Sequence, residues 1–407
     1  MDRTILHCDM NGFFASVELL DHPELKDVPM AVCGDPDSRR GIILAKNQLA
    51  KEKGVQTAET LWQAKRKCPS LRCVRPHMEK YKHYSRLINR IYARYTDMIE
   101  VFSIDESWLD VTKSLKLFGD GKTIADSIRK TVREELSLTL SAGVSFNKFF
   151  AKMGSEYRKP DQTTVITREN YQAILWPLPV EEMFFVGAVT AGKLRNIGIH
   201  SIGDLAGARR KVLEDLLGKQ GGMLWDYANG LDDAPVSKAG EREKIKSVGN
   251  GVTFHRNLSG EDDISVAVVG LTDKVTARLR KLQMKATGVK VDIKDPGFHV
   301  IARQKQLPYA SSSPVEISKA AMEVIKANWN LNKPIRLMTI TAINLQDEDA
   351  PEQMDLFSDL GADREKEEKL DKTIDDIRKK FGDRSVAFGR VLGSDIGVDL
   401  GYHTEEK

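Results

Sequence analysis

Carboxylate side chains occur at two places nearly a hundred residues apart, and each place lies in an apolar run typical of a buried strand. Asp9 ends the first run, and Asp105 and Glu106 lie together in the second. Burying an unpaired carboxylate is costly, and neighbouring carboxylates repel, unless a cation holds them. Oxygen ligands suit Mg²⁺, and a pair of such ions clamps the attacking and leaving oxygens of an in-line phosphoryl displacement. The pattern therefore predicts a metal-dependent nucleotidyl transferase.

The apolar context of the acidic pair carries more information than the pair itself. Because 59 of the 407 residues are acidic, several adjacent acidic pairs are expected by chance. The flanking residues describe a mostly buried strand, where a surface charge is not expected; they are Val101, Phe102, Ile104, Trp108, Leu109 and Val111. The context therefore favours metal chemistry.

The elements that must position these carboxylates read as alternating strands and helices. Asp9 ends a strand at the start of a helix, and the acidic pair lies on a strand that follows a long amphipathic helix. The predicted strands are 3–9, 100–111 and 138–145, and the predicted helices are 13–20, 79–99 and 121–136. A sheet with helices on one face accounts for these elements.

Two further regions are predicted to form separate lobes. Short strands at 29–34 and 41–46, with a basic helical segment up to Lys67, predict a small lobe inserted into the first domain. Residues 247–345 give the order β-α-β-β-α-β, which is enough for an independent small domain. Basic residues assigned to its helices form either a stripe that follows nucleic-acid phosphates or an ordinary solvated face; they are Arg278, Arg280, Lys281 and Lys285.

A glycine turn between short helices lies in residues 186–199. It resembles a helix-hairpin-helix, whose backbone N–H groups bind a DNA phosphate, which makes Gly187 and Val189 candidate DNA contacts. Motifs of this class usually place a glycine two residues before Gly187, where this chain has Phe185. A plain helical connector is the alternative.

The charge distribution favours a polyanionic partner. The chain carries +3 overall, but residues 347–407 hold 18 acidic and 10 basic residues, a net −8, which leaves +11 on the first 346 residues. A basic body with an acidic, solvated extension fits a nucleic-acid-binding protein, and 407 residues suffice for two to four domains.

The cysteines and the apolar runs bear on location. Cys8, Cys33, Cys68 and Cys73 have neither metal-ligand spacing nor the pattern of a disulfide framework, so reduced thiols are expected. The sequence shows no basic and apolar leader, and no run of 18 apolar residues. We therefore expect a soluble, unsecreted, cytoplasmic protein.

Four segments together resemble the Y-family DNA polymerases, the low-fidelity enzymes that copy past damaged bases, and most nearly their bacterial DNA polymerase IV branch. They are the strand ending at Asp9, the Asp105–Glu106 pair, the run AGVSFNKFFAK at 142–152 and the run RKPD at 158–161. The last two match the family's S-x-N-K-x-x-A-K and K-P segments in order and spacing. The resemblance covers about residues 3–346.

The resemblance implies an α+β multidomain fold shaped like a right hand, with a palm, fingers, a helical thumb and a βαββαβ little-finger domain. It implies the following boundaries: palm at 1–21 and 77–166, fingers at 22–76, thumb with the hairpin-like motif at 167–237, linker at 238–246, little finger at 247–346, and acidic tail at 347–407.

The resemblance also implies the roles of the site residues. Asp9, Asp105 and Glu106, with the backbone carbonyl of Met10, would hold two Mg²⁺ ions at which deoxynucleotides are added to a primer. The nucleotide would contact Phe13, Phe14, Gln48, Lys51 and Lys159, with Lys159 on the phosphates. Phe14 falls where the family places an aromatic ring that excludes a ribose 2′-hydroxyl, while Phe13 also reads as a core residue.

Two departures and a set of DNA contacts complete the implied site. Gln48 and Lys51 stand where the family usually shows tyrosine and arginine, and lysine lacks the bidentate fork of arginine. Primed template DNA would be contacted by Gly187, Val189, Lys148, Lys152, Arg278 and Arg336.

The tail predicts a second function. Gln353, Met354, Asp355, Leu356 and Phe357 resemble the peptide by which bacterial polymerases dock on the sliding clamp, with Leu356 and Phe357 as apolar anchors. The alternative is that the apolar pair packs back on the body. Beyond it, Leu370, Ile374, Ile377 and Phe381 recur at helical spacing and predict a helix that docks on the body, on a partner or on a second copy.

Three other functions compete with a polymerase. A catalytically silent scaffold at the clamp would have no reason to keep Asp9, Asp105, Glu106 and Lys159 together. A nucleotide cyclase would lack the hairpin motif and the basic last domain. A helix-hairpin-helix glycosylase would need a catalytic lysine or aspartate beside the hairpin instead of distant paired carboxylates.

Overall fold

The chain divides into two compact units, residues 1–241 and 242–407, and the boundary falls inside the predicted linker. The structure is a computed structural model that describes residues 2–34, 41–241, 244–350, 361–383 and 385–398, with the backbone alone for 361–365. The predicted clamp peptide, 353–357, therefore lies outside the described residues.

The first unit contains a central sheet, a small second sheet and a helical region. Its elements are β1 (Ile5–Met10), α1 (Phe13–Asp21), β2 (Met30–Cys33), β3 (Ile43–Lys46), α2 (Gln48–Glu52), α3 (Leu61–Lys67), β4 (Arg72–Val74), α4 (Met78–Tyr92), β5 (Ile99–Val101), β6 (Glu106–Asp110), α5 (Leu115–Phe118), α6 (Gly121–Leu136), β7 (Leu140–Ser145), α7 (Lys148–Tyr157), β8 (Thr163–Val165), α8 (Tyr171–Leu175), α9 (Ala188–Arg195), α10 (Ile202–Gly207), α11 (Arg210–Leu217) and α12 (Lys219–Ala228).

The central sheet has the strand order β5-β6-β1-β7-β8, with β1 antiparallel to both β6 and β7. Successive side chains of β1 point to opposite faces. Leu6, Cys8 and Met10 enter the core that α4 and α6 cover, whereas Ile5 packs in a separate cluster that includes Ala151 of α7. Asp9 therefore shares the α7 face of the sheet.

The predicted helices α1, α4 and α6 share the core on one face of this sheet, as expected, and a helix that was not predicted, α7, covers the other face. Helix α7 lies so close to β7 that a Cβ on Gly143 would be 1.8 Å from the carbonyl oxygen of Ala151. Glycine at 143 and small residues on α7 thus let this helix pack directly behind the strands that carry the carboxylates.

The predicted single strand 100–111 is two short strands joined by a turn. β5 ends at Val101 and β6 begins at Glu106, which leaves Asp105 in the turn. The expectation that Val101 and Phe102 are buried is wrong, because they are 56% and 47% exposed. β5 lies at the edge of the sheet, where an apolar side chain need not face the core.

The small sheet has the order β3-β2-β4 and its own apolar core, as expected for an inserted lobe. The helices α8 to α12 enclose another core, centred on Leu194, Leu205, Leu213 and Leu224.

The second unit confirms the predicted β-α-β-β-α-β order. Its elements are β9 (Ser247–Leu258), α13 (Gly260–Lys281), β10 (Met284–Lys294), β11 (Val300–Ser311), α14 (Pro314–Asn328), β12 (Ile335–Asp347) and a C-terminal helix, α15 (Gly361–Phe381). The sheet order is β11-β10-β12-β9, and α13 and α14 pack on one face.

Residues 366–383 and 385–398 pack against the rest of this second unit, so the prediction of a solvated extension is wrong for them. Ile396 and Val398 belong to the core, and a Cβ on Gly270 would be 2.2 Å from Val398, so glycine in α13 makes room for the segment. α15 docks mainly through charged residues, because Leu370 and Phe381 of its predicted apolar stripe are 60% and 67% exposed while Ile374 and Ile377 are half-buried.

The main docking contact is an ion pair between Arg378 and Asp273 of α13. Both residues are less than 10% exposed, and two guanidinium nitrogens lie 2.9 Å from the carboxylate oxygens. Arg378 also donates to the Val386 carbonyl. Such a bidentate pair is among the stronger side-chain contacts, and removing one partner leaves a buried charge uncompensated.

We therefore expect Arg378→Ala to lower the melting temperature of the protein by several degrees, because Asp273 is left buried without its main partner. Thermal unfolding followed by circular dichroism measures this change. Arg390→Ala, on an exposed residue of the same segment, is the matched control and should melt like the unaltered chain. Equal melting of both variants would show that α15 contributes little to stability.

Candidate active site

Asp9 and Glu106 lie directly opposite each other on the neighbouring strands β1 and β6. Carboxylate oxygens of both residues, with a ring nitrogen of His7, lie within 4.8 Å of one another. Asp9 is 4% exposed, so its charge is held where water is scarce. Two carboxylates this close repel unless cations stand beside them, and the assignment of Asp9 and Glu106 to metal ions stays a prediction.

Asp105 and Met10 line the same cavity as Asp9 and Glu106. The Met10 N–H donates to the Asp105 carbonyl (3.2 Å), which ties the turn before β6 to the end of β1. Burial raises the pKa of Asp105, against a hydrogen bond from the Ser103 hydroxyl to its carboxylate (2.7 Å). The fold thus brings the predicted metal-binding residues to one end of the sheet.

Glu106 is held from behind by two residues of the α7 face. The Lys152 ammonium donates to Oε2, and His7 Nε2 lies 3.3 Å from the same oxygen. Burial alone would raise the pKa of Glu106, but these two contacts lower it to about 2. Glu106 is therefore ionised at neutral pH, and Oε1 is the oxygen on which neither contact falls.

His7 is fixed by a chain of hydrogen bonds. The Ser155 hydroxyl lies 2.8 Å from both His7 Nδ1 and the Lys152 carbonyl. Because the ionised Glu106 carboxylate only accepts, the single N–H of a neutral His7 is on Nε2 facing Glu106, and Nδ1 accepts from the Ser155 hydroxyl. Burial lowers the pKa of His7 to about 4, which keeps the imidazole neutral. His7 was not anticipated from the sequence, although its position two residues before Asp9 on a strand places it on the same face.

Asp9 has a cationic neighbour of its own. Lys159 Nζ is 2.8 Å from Asp9 Oδ2 and 2.8 Å from Glu156 Oε1. Burial raises the pKa of Asp9 to about 8 although the Lys159 ammonium opposes the rise, and the Glu156 carboxylate adds to it. Glu156 was likewise not anticipated from the sequence, where its position three residues before Lys159, at the end of α7, was the available signal.

The cavity in front of these carboxylates has a volume of about 620 Å³. Its opposite wall comes from the inserted lobe, where the Asn47 side chain caps α2 by accepting from Ala50 N–H (3.0 Å). This cap aims α2 so that Gln48 and Lys51 line the cavity. Lys46 lines it as well and was not anticipated.

Phe14 lines the cavity, and its ring stacks on Tyr81 of α4, with ring centroids 4.1 Å apart and an angle of 11° between the planes. The Tyr81 hydroxyl donates to Glu18, which is 1% exposed. Phe13 is 3% exposed and packs in the core, yet it reaches the same cavity. Phe14 thus forms part of the cavity wall, and Tyr81 supports its ring from behind.

Two family models match the chain. The impB/mucB/samB family matches residues 8–156, and the C-terminal domain of that family matches residues 245–356. The chain belongs to the impB/mucB/samB family of Y-family DNA polymerases. Since the first match spans Asp9, Asp105 and Glu106, the carboxylate site lies within the part of the chain that defines this family.

Relatives of known name agree with this Y-family assignment. The chain is 44% identical to DNA polymerase IV of Acetivibrio thermocellus, over 98% of this chain and all of the relative. It is 37% identical to DNA polymerase IV 1 of Bacillus subtilis, over 96% of this chain and 93% of the relative. A Y-family DNA polymerase chimera of Dbh and Dpo4 shares the fold, with a TM-score of 0.74 at 24% identity over 84% of this chain and 98% of the chimera.

Two of the predicted DNA contacts of this Y-family chain are engaged inside the protein. Lys152 is 5% exposed and pairs with Glu106, while Lys148 pairs with Glu100 (2.6 Å) and lies over the Trp108 ring. The placement of Lys152 contradicts a direct DNA contact, because its ammonium is already buried against a carboxylate. Lys152 is a partner of Glu106 instead.

The hairpin-like turn keeps the backbone of its motif despite lacking the usual glycine. Phe185 adopts a φ of +73°, the left-handed conformation that glycine takes readily and bulky residues rarely adopt. Gly187 then caps α9, and Val189 in the first turn of that helix is 78% exposed. Phosphate binding by Gly187 and Val189 stays a prediction, and this geometry is compatible with it.

The predicted basic stripe of the second unit is only partly open. Arg280 and Lys285 pair with acids of α15, Arg280 with Asp375 (2.5 Å) and Lys285 with Glu368 (3.4 Å), so the stripe as a whole is not available to phosphates. Arg278 is exposed, and Arg336 lies over the Phe298 ring. DNA contacts by Arg278 and Arg336 stay predictions.

Proposed function

We propose that this chain adds deoxynucleotides to a primer on a DNA template by two-metal phosphoryl transfer, and that it copies past damaged bases. Its class, a DNA-directed DNA polymerase, follows from family membership. The metal, Mg²⁺, and the residue roles are the part we infer.

One observation carries this proposal: Asp9 and Glu106 converge within 4.8 Å at the floor of a cavity whose walls carry Phe14, Lys159 and Lys51. Hard oxygen ligands of this kind suit Mg²⁺, and the carboxylates of Asp9 and Glu106 supply the negative charge that such ions need. The cationic and aromatic walls suit a triphosphate and a sugar. The cavity therefore fits the metals and the nucleotide together.

The residues of the site would divide the work as follows. Asp9, Asp105, Glu106 and the Met10 carbonyl would hold two Mg²⁺ ions, which supply charge stabilisation to the attacking 3′-oxygen and the leaving pyrophosphate. Lys159 and Lys51 would neutralise the phosphates, and Phe14 would bound the sugar. Catalysis by position and charge needs no covalent intermediate on the protein.

The partners and the location follow from the same proposal. Primed template DNA and deoxynucleoside triphosphates are the substrates of the class. Among the described residues, every helix is too short or too polar to cross a membrane. We place the protein in the cytoplasm, where its template would be.

Extension of a labelled primer on an undamaged template and on a template with one abasic site tests the proposal. With Mg²⁺ and deoxynucleotides, we expect products on both templates, and chelation of the metal should stop them. If only the undamaged template is extended, the proposal that the protein copies past damaged bases is wrong. An absence of extension on both templates would overturn the polymerase proposal.

We also propose that residues 353–357 bind the bacterial sliding clamp. Support comes from the sequence, in which the anchors Leu356 and Phe357 and the head Gln353 follow an acidic segment. Tethering would raise the effective concentration of the polymerase at the primer end. A body with weak contacts of its own would gain most from such a tether.

Changing Leu356 and Phe357 to alanine should abolish the stimulation of synthesis by the clamp, because the apolar anchors are lost. Activity on a short primed template without the clamp should persist. Leu370→Ala is the matched control, since Leu370 is an exposed apolar residue of the same C-terminal region. Loss of activity on both substrates would assign Leu356 and Phe357 a structural role instead.

A further inference from the structure

The Lys159 ammonium touches the carboxylate that the proposed function assigns to a metal ion. Its distances to Asp9 Oδ2 and Glu156 Oε1 are both 2.8 Å. A divalent ion at Asp9 would stand beside this ammonium, and like charges a few ångströms apart repel strongly where water is scarce. Lys159 and a metal ion therefore compete for Asp9.

Lys152 and Lys159 both pair with a carboxylate of the proposed metal site. Of the two, only the Lys159 side chain borders open space into which it can move. The Lys152 side chain is 7% exposed, and its ammonium lies over the rings of Phe102 and Phe184 at 5.2 and 4.8 Å. The Lys159 side chain is 24% exposed and lines the nucleotide cavity. Lys152 is a fixed partner of Glu106, whereas Lys159 can turn from Asp9 into the cavity.

We propose that Lys159 fills the cation position at Asp9 in the nucleotide-free protein and leaves it when the phosphates of an incoming nucleotide draw the ammonium away. This inference rests on the proposed function, because it needs a triphosphate in the cavity. Asp9 then becomes available to a metal ion at the moment the substrate arrives. By linkage, nucleotide and metal each strengthen the binding of the other.

The first test is the metal affinity of the full-length protein without nucleotide and without DNA. Mn²⁺ alone is the probe, and free Mn²⁺ is counted by electron paramagnetic resonance. The titration is run at one neutral pH for every variant, so that competition from protons is the same throughout. We expect Lys159→Met to bind Mn²⁺ about tenfold more tightly than the unaltered chain, within the usual range of coupling between sites.

Two controls separate direct occupation of Asp9 from the general field of the cavity. Lys159→Arg keeps the charge and should show no gain in Mn²⁺ affinity. Lys51→Met removes a charge from another wall of the same cavity and should weaken nucleotide binding without a gain in Mn²⁺ affinity. Lys159→Gln serves as a second neutral variant, and melting curves establish that each variant is folded.

The outcomes decide the inference independently of the polymerase assay. Tighter Mn²⁺ binding by Lys159→Met and Lys159→Gln alone supports it. Unchanged Mn²⁺ affinity with weakened nucleotide binding would make Lys159 an ordinary phosphate ligand and would overturn the inference. An equal gain in Lys51→Met would overturn it as well, since the field of the cavity would then be the cause. Failure of the unaltered chain to extend primers would instead overturn the proposed function.

Discussion

Glu106→Ala is expected to slow primer extension by about a thousandfold, the scale on which removal of one group that stabilises transition-state charge reduces a rate. Glu106 faces Asp9 across two paired strands, and the pKa of about 2 keeps it ionised at any working pH. Loss of this charge would leave the proposed metal position with too little negative charge. Single-turnover extension with excess enzyme measures the effect without product release.

The same substitution should also reduce stability, because the Lys152 ammonium is buried against Glu106. Without its partner, that ammonium carries an uncompensated charge in the interior. Glu106→Gln separates the two effects, since the amide oxygen still accepts a hydrogen bond from Lys152 while the ligand charge is gone. We expect Glu106→Gln to melt at a higher temperature than Glu106→Ala and to be about as inactive.

Glu134→Ala is the matched control for loss of an acidic side chain, because Glu134 lies exposed on α6 with only a loose pair to Lys130 (3.8 Å). Its extension rate should equal that of the unaltered chain. Full activity in Glu106→Gln would show that the carboxylate charge is not needed, and the assignment of Glu106 to a metal ion would be wrong.

The sequence was sufficient to predict that Asp9 and the acidic pair meet. The apolar runs around them predict strands, the alternation of β1 sends Asp9 and His7 to one face, and the spacing of the motifs identifies the family. The exact contacts of each carboxylate were harder to predict. Lys152 and Lys159 belong to motifs that suggest contacts with DNA or phosphate. In the structure, however, Lys152 pairs with Glu106 and Lys159 pairs with Asp9.

The remaining errors share a physical cause, which is pairing between residues distant in sequence. Arg378 meets Asp273, and Asp375 meets Arg280, so a segment that reads as a solvated acidic tail docks by its charges. Composition reports the net charge of a segment but not the partner of each charge. In the same way, Val101 and Phe102 are apolar but lie on an edge strand and the turn after it, which a pattern of hydrophobicity does not distinguish from a central strand.

Phe14→Ala is expected to reduce the preference for deoxynucleotides over ribonucleotides by about a hundredfold, the scale set by one added or lost contact in a fitted pocket. The ring of Phe14 is held in place because it stacks on Tyr81, and the Tyr81 hydroxyl is anchored on the buried Glu18. A ring held rigidly at this position would clash with a ribose 2′-hydroxyl. The alanine methyl group of Phe14→Ala would leave room for that hydroxyl.

Tyr81→Phe is the matched control for this change, since it keeps the ring behind Phe14 and removes only the hydroxyl. Steady-state kcat/KM for each sugar, on one template, should show a large loss of selectivity in Phe14→Ala and a much smaller one in Tyr81→Phe, which keeps the stacked ring. The gain should come from faster ribonucleotide use while deoxynucleotide use persists, because the carboxylates proposed to bind metal are untouched. If the two sugars are discriminated equally well by Phe14→Ala and the unaltered chain, another wall of the cavity selects the sugar and Phe14 is only a packing residue.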